Sequence, residues 1–288
     1  MERRTRSYLQ LIKPGITLSN SLTAVAGFFL AVSSHRFVLT TLVGAVGGVA
    51  FVIASACVAN NIIDRRLDAR MKRTKGREIA SGAISVPVAV AYMITLALVG
   101  FGLLIVWTNW MTFGLGVLAY VWYVAIYGIA KRTTPLSTII GGVCGALPPV
   151  AGYVAVTGQI DAVAWVLFGL MMVWQLPHFY AISIFRASDY KSAKLPVWSV
   201  RYGIKSAKAQ IFFWVVIFTL IVPLLALVKA TGWSYLVVMI ILSLYWVYQG
   251  VRYYRQDNDE RWARRMFGVS LVVLLALCGA IGVGGYLP

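Results

Sequence analysis

The feature that most constrains this chain is a series of nine long apolar stretches. An α-helix needs ~20 apolar residues to cross the ~30 Å hydrocarbon core of a bilayer. The stretches, whose boundaries are defined to within a few residues, lie at 15–33, 37–59, 86–107, 110–129, 136–157, 162–185, 209–228, 233–250 and 266–286. We therefore expect an all-α, polytopic membrane protein, a nine-transmembrane-helix bundle in contact with the lipid bilayer.

Composition excludes other classes of protein. Apolar residues make up 60% of the 288 residues and charged residues only 12%, far from the ~45–50% and ~25% of soluble domains. A disordered chain would be poorer in apolar residues, and an outer-membrane barrel would alternate apolar and polar residues along short strands. The three cysteines lie far apart within apolar stretches, so neither a disulfide framework nor a thiolate metal site is predicted.

Small residues and prolines interrupt the fifth stretch near its middle. They are Gly141, Gly142, Gly145, Pro148 and Pro149. Membrane helices tolerate such residues when neighbouring helices satisfy the freed backbone groups. We expect a kinked packing helix here rather than a substrate site, because small residues let membrane helices approach closely.

The charged residues between the stretches predict the orientation in the membrane. Of the 26 Lys and Arg residues, 24 lie in alternate segments that begin with the N-terminus, which leaves Arg36 and Lys229 on the other side. The positive-inside rule places the N-terminus in the cytoplasm and the C-terminus on the opposite side. Eight of the nine acids share the cytoplasmic side, and that rule does not explain them. Acids clustered within a basic face point to a functional site.

The clearest motif follows the second stretch, where Asn60, Asp64 and Asp68 are spaced four residues apart. On a helix they form one stripe, because positions four apart differ by only ~40° around the axis. Carboxylate and amide oxygens suit Mg²⁺, which is commonly shared with substrate phosphates. The alternative is that the acids only pair with nearby arginines on a solvated helix end. The asparagine one turn earlier and the adjoining apolar bundle favour the metal site.

Basic residues surround this stripe, and their side chains can neutralise phosphate oxygens. They are Arg65, Arg66, Lys72, Arg73, Lys75 and Arg77. Acids for a metal and bases for phosphate together predict a diphosphate site at the cytoplasmic mouth of the bundle. The sequence contains no phosphate loop, HExxH or CxxC motif. Basic loops this short argue against nucleic acid as a partner.

Three weaker patterns each leave two interpretations open. Tyr127 and Lys131 lie one helical turn apart, and they either meet a phosphate or belong to an ordinary interfacial belt. Asp189 follows the sixth stretch and either completes the metal site or forms a loop ion pair. His178 lies within the sixth stretch, where it is either a packing residue with a hydrogen bond or a functional base.

Taken together, these motifs resemble the UbiA-type intramembrane prenyltransferase superfamily, whose signatures are NxxxDxxxD after the second helix and YxxxK on the fourth. A closer resemblance is to its haem-farnesylating branch. The segments that carry it are Lys13-Pro14-Gly15-Ile16, Asn60-Asn61 through Asp68, Met71-Lys72-Arg73-Thr74, Arg77, Gly82-Ala83-Ile84-Ser85, Gly141-Gly142, Gly145-Ala146-Leu147-Pro148-Pro149, Trp174-Gln175-Leu176-Pro177-His178, Phe185-Arg186, Asp189-Tyr190 and Trp262-Ala263-Arg264. The resemblance extends from about residue 8 to the final stretch.

The resemblance implies a single membrane domain over residues 1–288, with a lateral apolar cavity and a cytoplasmic active-site mouth. It implies a Mg²⁺-dependent prenyltransferase of the bacterial cytoplasmic (inner) membrane. The enzyme would transfer the farnesyl group of farnesyl diphosphate to a vinyl group of haem b, with addition of water, to give haem O for terminal oxidase assembly. Proteins of the haem pathway or of oxidase assembly are implied as partners.

The resemblance also implies a role for particular residues. The catalytic residues and metal ligands are Asn60, Asp64 and Asp68, with Asp189 as a secondary metal ligand. The candidates for diphosphate binding are Lys131, Arg132, Lys72, Arg73, Arg186 and Tyr127. The candidates for the haem or prenyl cavity are His178, Trp174 and Tyr123.

Two other functions stay open at this point. A related prenyltransferase that acts on a quinone or chlorophyll precursor often carries a second DxxxD after the sixth helix, but the position four beyond Asp189 is Ala193. A secondary transporter would suit many helices with Gly and Pro breaks. Transporters place coupling charges near the midplane, however, and no Asp, Glu, Lys or Arg lies deep within a predicted span.

Overall fold

Helices make up most of the chain. The computed structural model describes residues 2–254 and 258–288, with side chains from residue 6 onward. In chain order the elements are α1 Glu2–Leu11, α2 Pro14–Val32, α3 Leu39–Asp68, α4 Val86–Trp107, α5 Trp110–Val121, a π-helical segment Trp122–Tyr127, α6 Gly128–Thr133, α7 Ser137–Thr157, α8 Ala162–Phe185, α9 Ala187–Ser192, α10 Trp198–Arg201, α11 Gly203–Ile221, α12 Leu224–Leu227, α13 Trp233–Arg252 and α14 Asp259–Gly284. The described residues contain no strand, so the all-α prediction is confirmed. Arg255, one of the bases counted as cytoplasmic, lies outside the described residues.

Nine spans of the described residues are long and apolar enough to cross a membrane, as predicted. The fourth, Trp110–Thr133, combines α5, the π-helical segment and α6, and the seventh, Gly203–Leu227, combines α11 and α12. The largest difference from the prediction is in α3, which continues from the expected end at 59 to Asp68. An apolar window misses these last turns because they are polar, but the stripe of Asn60, Asp64 and Asp68 already predicted that they are helical.

Pro149 and Gly152 of the fifth span serve helix packing, whereas Gly141, Gly145 and Pro148, which were expected only to pack, line a cavity within the bundle. Helix α7 is continuous through Pro148 and Pro149, and it lies against α2 along much of its length. A Cβ atom on Gly27 would collide with the Pro149 carbonyl oxygen, and one on Gly152 would collide with the carbonyl oxygen of Ala24. The two backbones are therefore in direct contact, as small residues permit in membrane bundles.

Two kinds of apolar surface organise the bundle. Helices α7, α8, α11, α13 and α14 share the largest buried cluster, which includes Tyr180, Phe218 and Trp246. Many large apolar side chains, such as Leu98 and Leu220, are exposed on the outer surface of the bundle. This surface is suited to contact with lipid. The remaining inner surface, between α2, α3, α5, α7, α8 and α14, encloses a cavity.

Candidate active site

This cavity is mainly apolar and has charged groups at one end. Its volume is about 640 Å³, within the ~300–1,000 Å³ range of ligand pockets. Apolar side chains such as Leu104, Leu147 and Leu274 form most of its wall. Side chains of the last turns of α3 and of the loop that follows form the charged end. An apolar chamber with one charged end fits a ligand that has a hydrocarbon tail and an ionic head.

The predicted oxygen stripe lies on α3 and faces this cavity. Asn60, Asp64 and Asp68 all line it, and only 7%, 6% and 2% of their surfaces are exposed. Carboxylates this deeply buried need charged or hydrogen-bonding partners, because desolvating an unpaired charge is costly. The identity of those partners therefore indicates which charges the site can balance.

Asp64 is paired with two cations from the fourth span. Lys131 Nζ donates to Asp64 Oδ2, and Arg132 Nη2 donates to Oδ1 at 2.6 Å. Asn60 Nδ2 adds a third hydrogen bond to Oδ2 at 2.9 Å. The predicted metal ligands and the first two predicted phosphate-binding residues thus meet across helices α3 and α6.

Asp68 is held by a cation from the loop between α3 and α4. Arg77 Nη1 lies 2.9 Å from both carboxylate oxygens of Asp68. The loop turns back toward the helix because Thr74 Oγ1 donates to the Asp68 backbone carbonyl at 2.9 Å. The loop therefore places the Arg77 guanidinium at the cavity. Arg73 of the same loop also lines the cavity wall.

Lys13 is a site residue to which sequence reasoning assigned no role, although it belongs to the segment Lys13-Pro14-Gly15-Ile16 that contributes to the resemblance. Its Nζ donates to Asn60 Oδ1 at 2.6 Å, and its side chain lines the cavity. Burial lowers the pKa of Lys13 to about 8, so a nearby anion would help to keep it protonated. Lys13 has a left-handed backbone, with φ of 50°, at the junction of α1 and α2. Such a conformation is rare for a residue other than glycine and is not visible in the motif Lys13-Pro14-Gly15.

The remaining predicted diphosphate residues separate into two groups. Tyr127 and Arg73 line the cavity, and the Lys131 ammonium lies 5.7 Å from the centre of the Tyr127 ring. Lys72 and Arg186 do not line it, and Lys72 is exposed. Both remain predictions that need a bound phosphate to bring them closer.

The predicted secondary ligand, Asp189, is partly buried on the short helix α9 and does not line the cavity, whereas its neighbour Tyr190 does. Burial raises the pKa of the Tyr190 hydroxyl, so the group stays neutral and can donate a hydrogen bond. Within the described residues, no three His, Cys, Asp or Glu side chains are arranged to hold one metal ion. The metal role of Asp189 therefore stays a prediction.

Aromatic side chains line the part of the cavity beyond the charged end. Tyr123 and Tyr127 stack with ring centroids 5.5 Å apart on the π-helical segment, a rare conformation that occurs frequently at functional sites. Trp174 and His178 stack at 5.1 Å on α8. All four line the cavity, so the three predicted cavity residues do lie together around one chamber.

The charged end carries oxygen donors of the kind that Mg²⁺ prefers. Two carboxylates and one amide oxygen on one face are hard oxygen ligands, too few for a closed cage but suitable for an ion that is shared with a phosphate. Lys131, Arg132 and Arg77 neutralise the two carboxylates. The same cations can bind phosphate oxygens when a metal takes over that neutralisation.

Comparisons with known proteins give a consistent result. The model of the UbiA prenyltransferase family matches residues 20–278. A protoheme IX farnesyltransferase of Protochlamydia amoebophila is 42% identical over 270 residues, which cover 94% of this chain and 95% of that protein. Protoheme IX farnesyltransferase 1 of Shewanella frigidimarina is 40% identical over 276 residues, 95% of this chain and 91% of its own length.

Solved structures share the fold at lower identity. A digeranylgeranylglyceryl phosphate synthase superposes with a TM-score of 0.81 at 20% identity, over 99% of both chains. A UbiA homologue from Archaeoglobus fulgidus bound to GPP and Mg²⁺ has a TM-score of 0.67 at 19% identity, over 96% of this chain and 99% of its own. At such identities the likeness concerns the fold alone.

Proposed function

Because the chain belongs to the UbiA prenyltransferase family, we propose that its cavity binds farnesyl diphosphate by the charged end and transfers the farnesyl group to haem b. The curated relatives with about 40% identity are named for this activity. The observation that carries the proposal is the cavity itself, an apolar chamber that ends at the stripe of Asn60, Asp64 and Asp68 among cations. The chain is a prenyltransferase and a multi-pass membrane protein.

Asn60, Asp64 and Asp68 would hold Mg²⁺, with Asp189 as a secondary ligand. When bound, the ion supplies Lewis-acid stabilisation of the charge that develops on the departing diphosphate. Lys131, Arg132, Arg77 and Lys13 then bind phosphate oxygens, each from a position already within reach of the stripe. Lys72, Arg73 and Arg186 extend this cationic surface at the mouth.

The apolar part of the cavity binds the farnesyl chain and keeps bulk water away from the allylic cation. The faces of Tyr123 and Trp174, both in the cavity wall, stabilise positive charge through their π-systems. The nucleophile is the electron-rich vinyl carbon of haem b. We expect water to add to the neighbouring carbon, which gives a hydroxyethylfarnesyl haem, haem O.

We propose that the enzyme works in the bacterial inner membrane. Its charged end would lie at the cytoplasmic face, which is the orientation that the positive-inside rule predicts. Haem O would then pass to terminal oxidase assembly, through contact with proteins of that process.

A product assay tests the proposal. Purified protein in detergent or lipid is given farnesyl diphosphate, Mg²⁺ and haem b, with an aromatic quinone precursor as the competing acceptor. We expect the haem to gain the mass of one farnesyl group and one hydroxyl group, with release of diphosphate and a proton. A farnesylated quinone precursor together with unchanged haem would contradict the acceptor assignment, and no prenylated product would contradict the activity.

A further inference from the structure

Two polar side chains interrupt the otherwise apolar part of the cavity wall that α8 forms. Gln175 and His178 lie one turn apart on this helix, and both line the cavity. Only 3% of the Gln175 surface is exposed. His178 is partly buried. Polar atoms in a cavity wall that have no partner in the protein are available to bind a ligand or a water.

The amide of Gln175 has a fixed orientation. Its Nε2 donates to the backbone carbonyls of Gly142, at 2.8 Å, and of Met171, at 3.0 Å. Because both partners are acceptors, the opposite orientation would set oxygen against oxygen. Oε1 accepts no hydrogen bond from the described residues, and it occupies the space that a side chain on Gly145 would fill.

The ring of His178 is held in one orientation too. Its Nδ1 lies 2.8 Å from Ser270 Oγ, and that hydroxyl donates to the Phe267 carbonyl at 2.6 Å. Because the Ser270 hydroxyl proton is already donated to Phe267, the Ser270 oxygen must accept a hydrogen bond from His178. Nδ1 of His178 therefore carries the imidazole proton. The ring stacks on Trp174 at 5.1 Å and lies tilted against the Phe267 ring at 4.7 Å, and these two contacts fix its plane. Nε2 then keeps its lone pair and has no partner among the described residues.

We infer that Gln175 Oε1 and His178 Nε2 bind the water molecule that is added to haem, and that Ser270 is a positioning residue that fixes the histidine tautomer. The inference rests on the proposed function. A water in a protein interior needs two or more polar partners, and this pair provides two acceptors. A water that donates both of its protons keeps its oxygen lone pairs available as nucleophile.

The step balances as follows. The C–O bond of farnesyl diphosphate breaks, and its electron pair leaves with the diphosphate. The vinyl π-pair forms the new carbon–carbon bond, which leaves a cation on the carbon beside the porphyrin ring. A lone pair of the held water forms the C–O bond there, and one water proton passes to His178 Nε2, which becomes an imidazolium ion and later releases the proton to solvent.

Without the held water, the cation loses a proton from the adjacent carbon instead, and the product is an alkene lighter by one water. We propose to measure the ratio of alkene to hydroxylated product by mass spectrometry for His178→Phe, which retains a stacking ring but has no nitrogen. General bases typically contribute ~10²–10⁴-fold, so we expect the ratio to rise at least about tenfold. Ser270→Ala should raise it less, because the histidine remains and only its tautomer is free.

The ratio is independent of how much of each variant folds, since only products are counted. Thr23→Val is the matched control: this hydroxyl lies in the cavity wall but donates to Asn20 of its own helix, so the ratio should not change. A hydroxylated product at the wild-type ratio in His178→Phe would overturn the inference and leave farnesyl transfer standing. Loss of both products in folded His178→Phe would also overturn it, because the residue would then act before water addition. Absence of product with the wild-type protein would contradict the proposed function instead.

Discussion

At the scale of single residues, Asp64 is the centre of the charged end. It is the middle member of the oxygen stripe, and it contacts Asn60, Lys131 and Arg132. Asp64→Asn keeps the size of the side chain and removes its charge. Because electrostatic stabilisation of the leaving group is lost, we expect kcat to fall at least ~100-fold. Steady-state kinetics of diphosphate release would measure the loss.

Thermal unfolding of the same variant provides its control. The buried Lys131 ammonium loses its counter-ion in this variant, but the Asn carbonyl can still accept its hydrogen bond, so the variant should stay folded and inserted with a lower midpoint of unfolding. Full activity of the purified, folded variant would contradict the assignment of Asp64 as a metal ligand.

Lys13 allows a test of a residue that only the structure identifies. Lys13→Met removes the ammonium beside Asn60 and retains an unbranched apolar stem. Hydrogen bonds to charged groups contribute about 1.5–3 kcal/mol, so we expect the affinity for farnesyl diphosphate to fall by roughly tenfold or more. Titration with an unreactive farnesyl diphosphate analogue measures it.

Lys75→Met is the control for net charge, since Lys75 is exposed and does not line the cavity. Its affinity should stay within about twofold of wild type, because exposed ionic contacts contribute ~0–1 kcal/mol. Equal losses in both variants would show that Lys13 acts only through the overall charge.

Asp64 and Lys13 show what the sequence could and could not predict at the scale of single residues. The spacing of Asn60, Asp64 and Asp68 reveals their common face, since a helix repeats at a fixed angle. The role of Lys13 depends on its left-handed backbone and on its contact with Asn60, which is 47 residues away in the sequence. No local pattern encodes such a contact.

At the scale of helices, the close contact of α2 and α7 depends on glycine. Gly152→Ala would place a methyl group against the Ala24 carbonyl and 3.0 Å from Phe28 N, so the helices would have to separate. Overpacking costs about 1–3 kcal/mol, and we expect a clear drop in the midpoint of thermal unfolding.

Gly169→Ala on α8 is the matched substitution, because a Cβ there meets nothing within 4 Å. It should be neutral or slightly stabilising, as alanine favours helix over glycine. Similar destabilisation by both variants would mean that helix propensity, rather than contact between backbones, determines the effect.

Helix boundaries set a limit on prediction at this scale. Apolar windows predict all nine spans, yet they end α3 at 59, while the helix continues to Asp68. The π-helical segment Trp122–Tyr127 is likewise invisible in hydropathy. Both features concern the functional face, where polar contacts between helices override local preference.

At the scale of the whole molecule, the distribution of charge predicts the orientation in the membrane. Lys75 and Gln159 are both exposed, in loops next to opposite ends of the spans. In a protein without its native cysteines, a cysteine at Lys75 should react with an impermeant maleimide only from the cytoplasmic side, and one at Gln159 only from the other side. The opposite labelling pattern would contradict the predicted topology.

The proposed function of the whole molecule depends on an apolar cavity whose charged end would bind diphosphate through Mg²⁺. The most direct test is the equilibrium binding of an unreactive farnesyl diphosphate analogue to wild type and to Asp64→Asn, with Mg²⁺ and with EDTA. We expect tight binding only for wild type with Mg²⁺, loss of that affinity in EDTA, and its recovery when Mg²⁺ is restored. Equal affinity of both proteins, unaffected by chelation, would contradict the account.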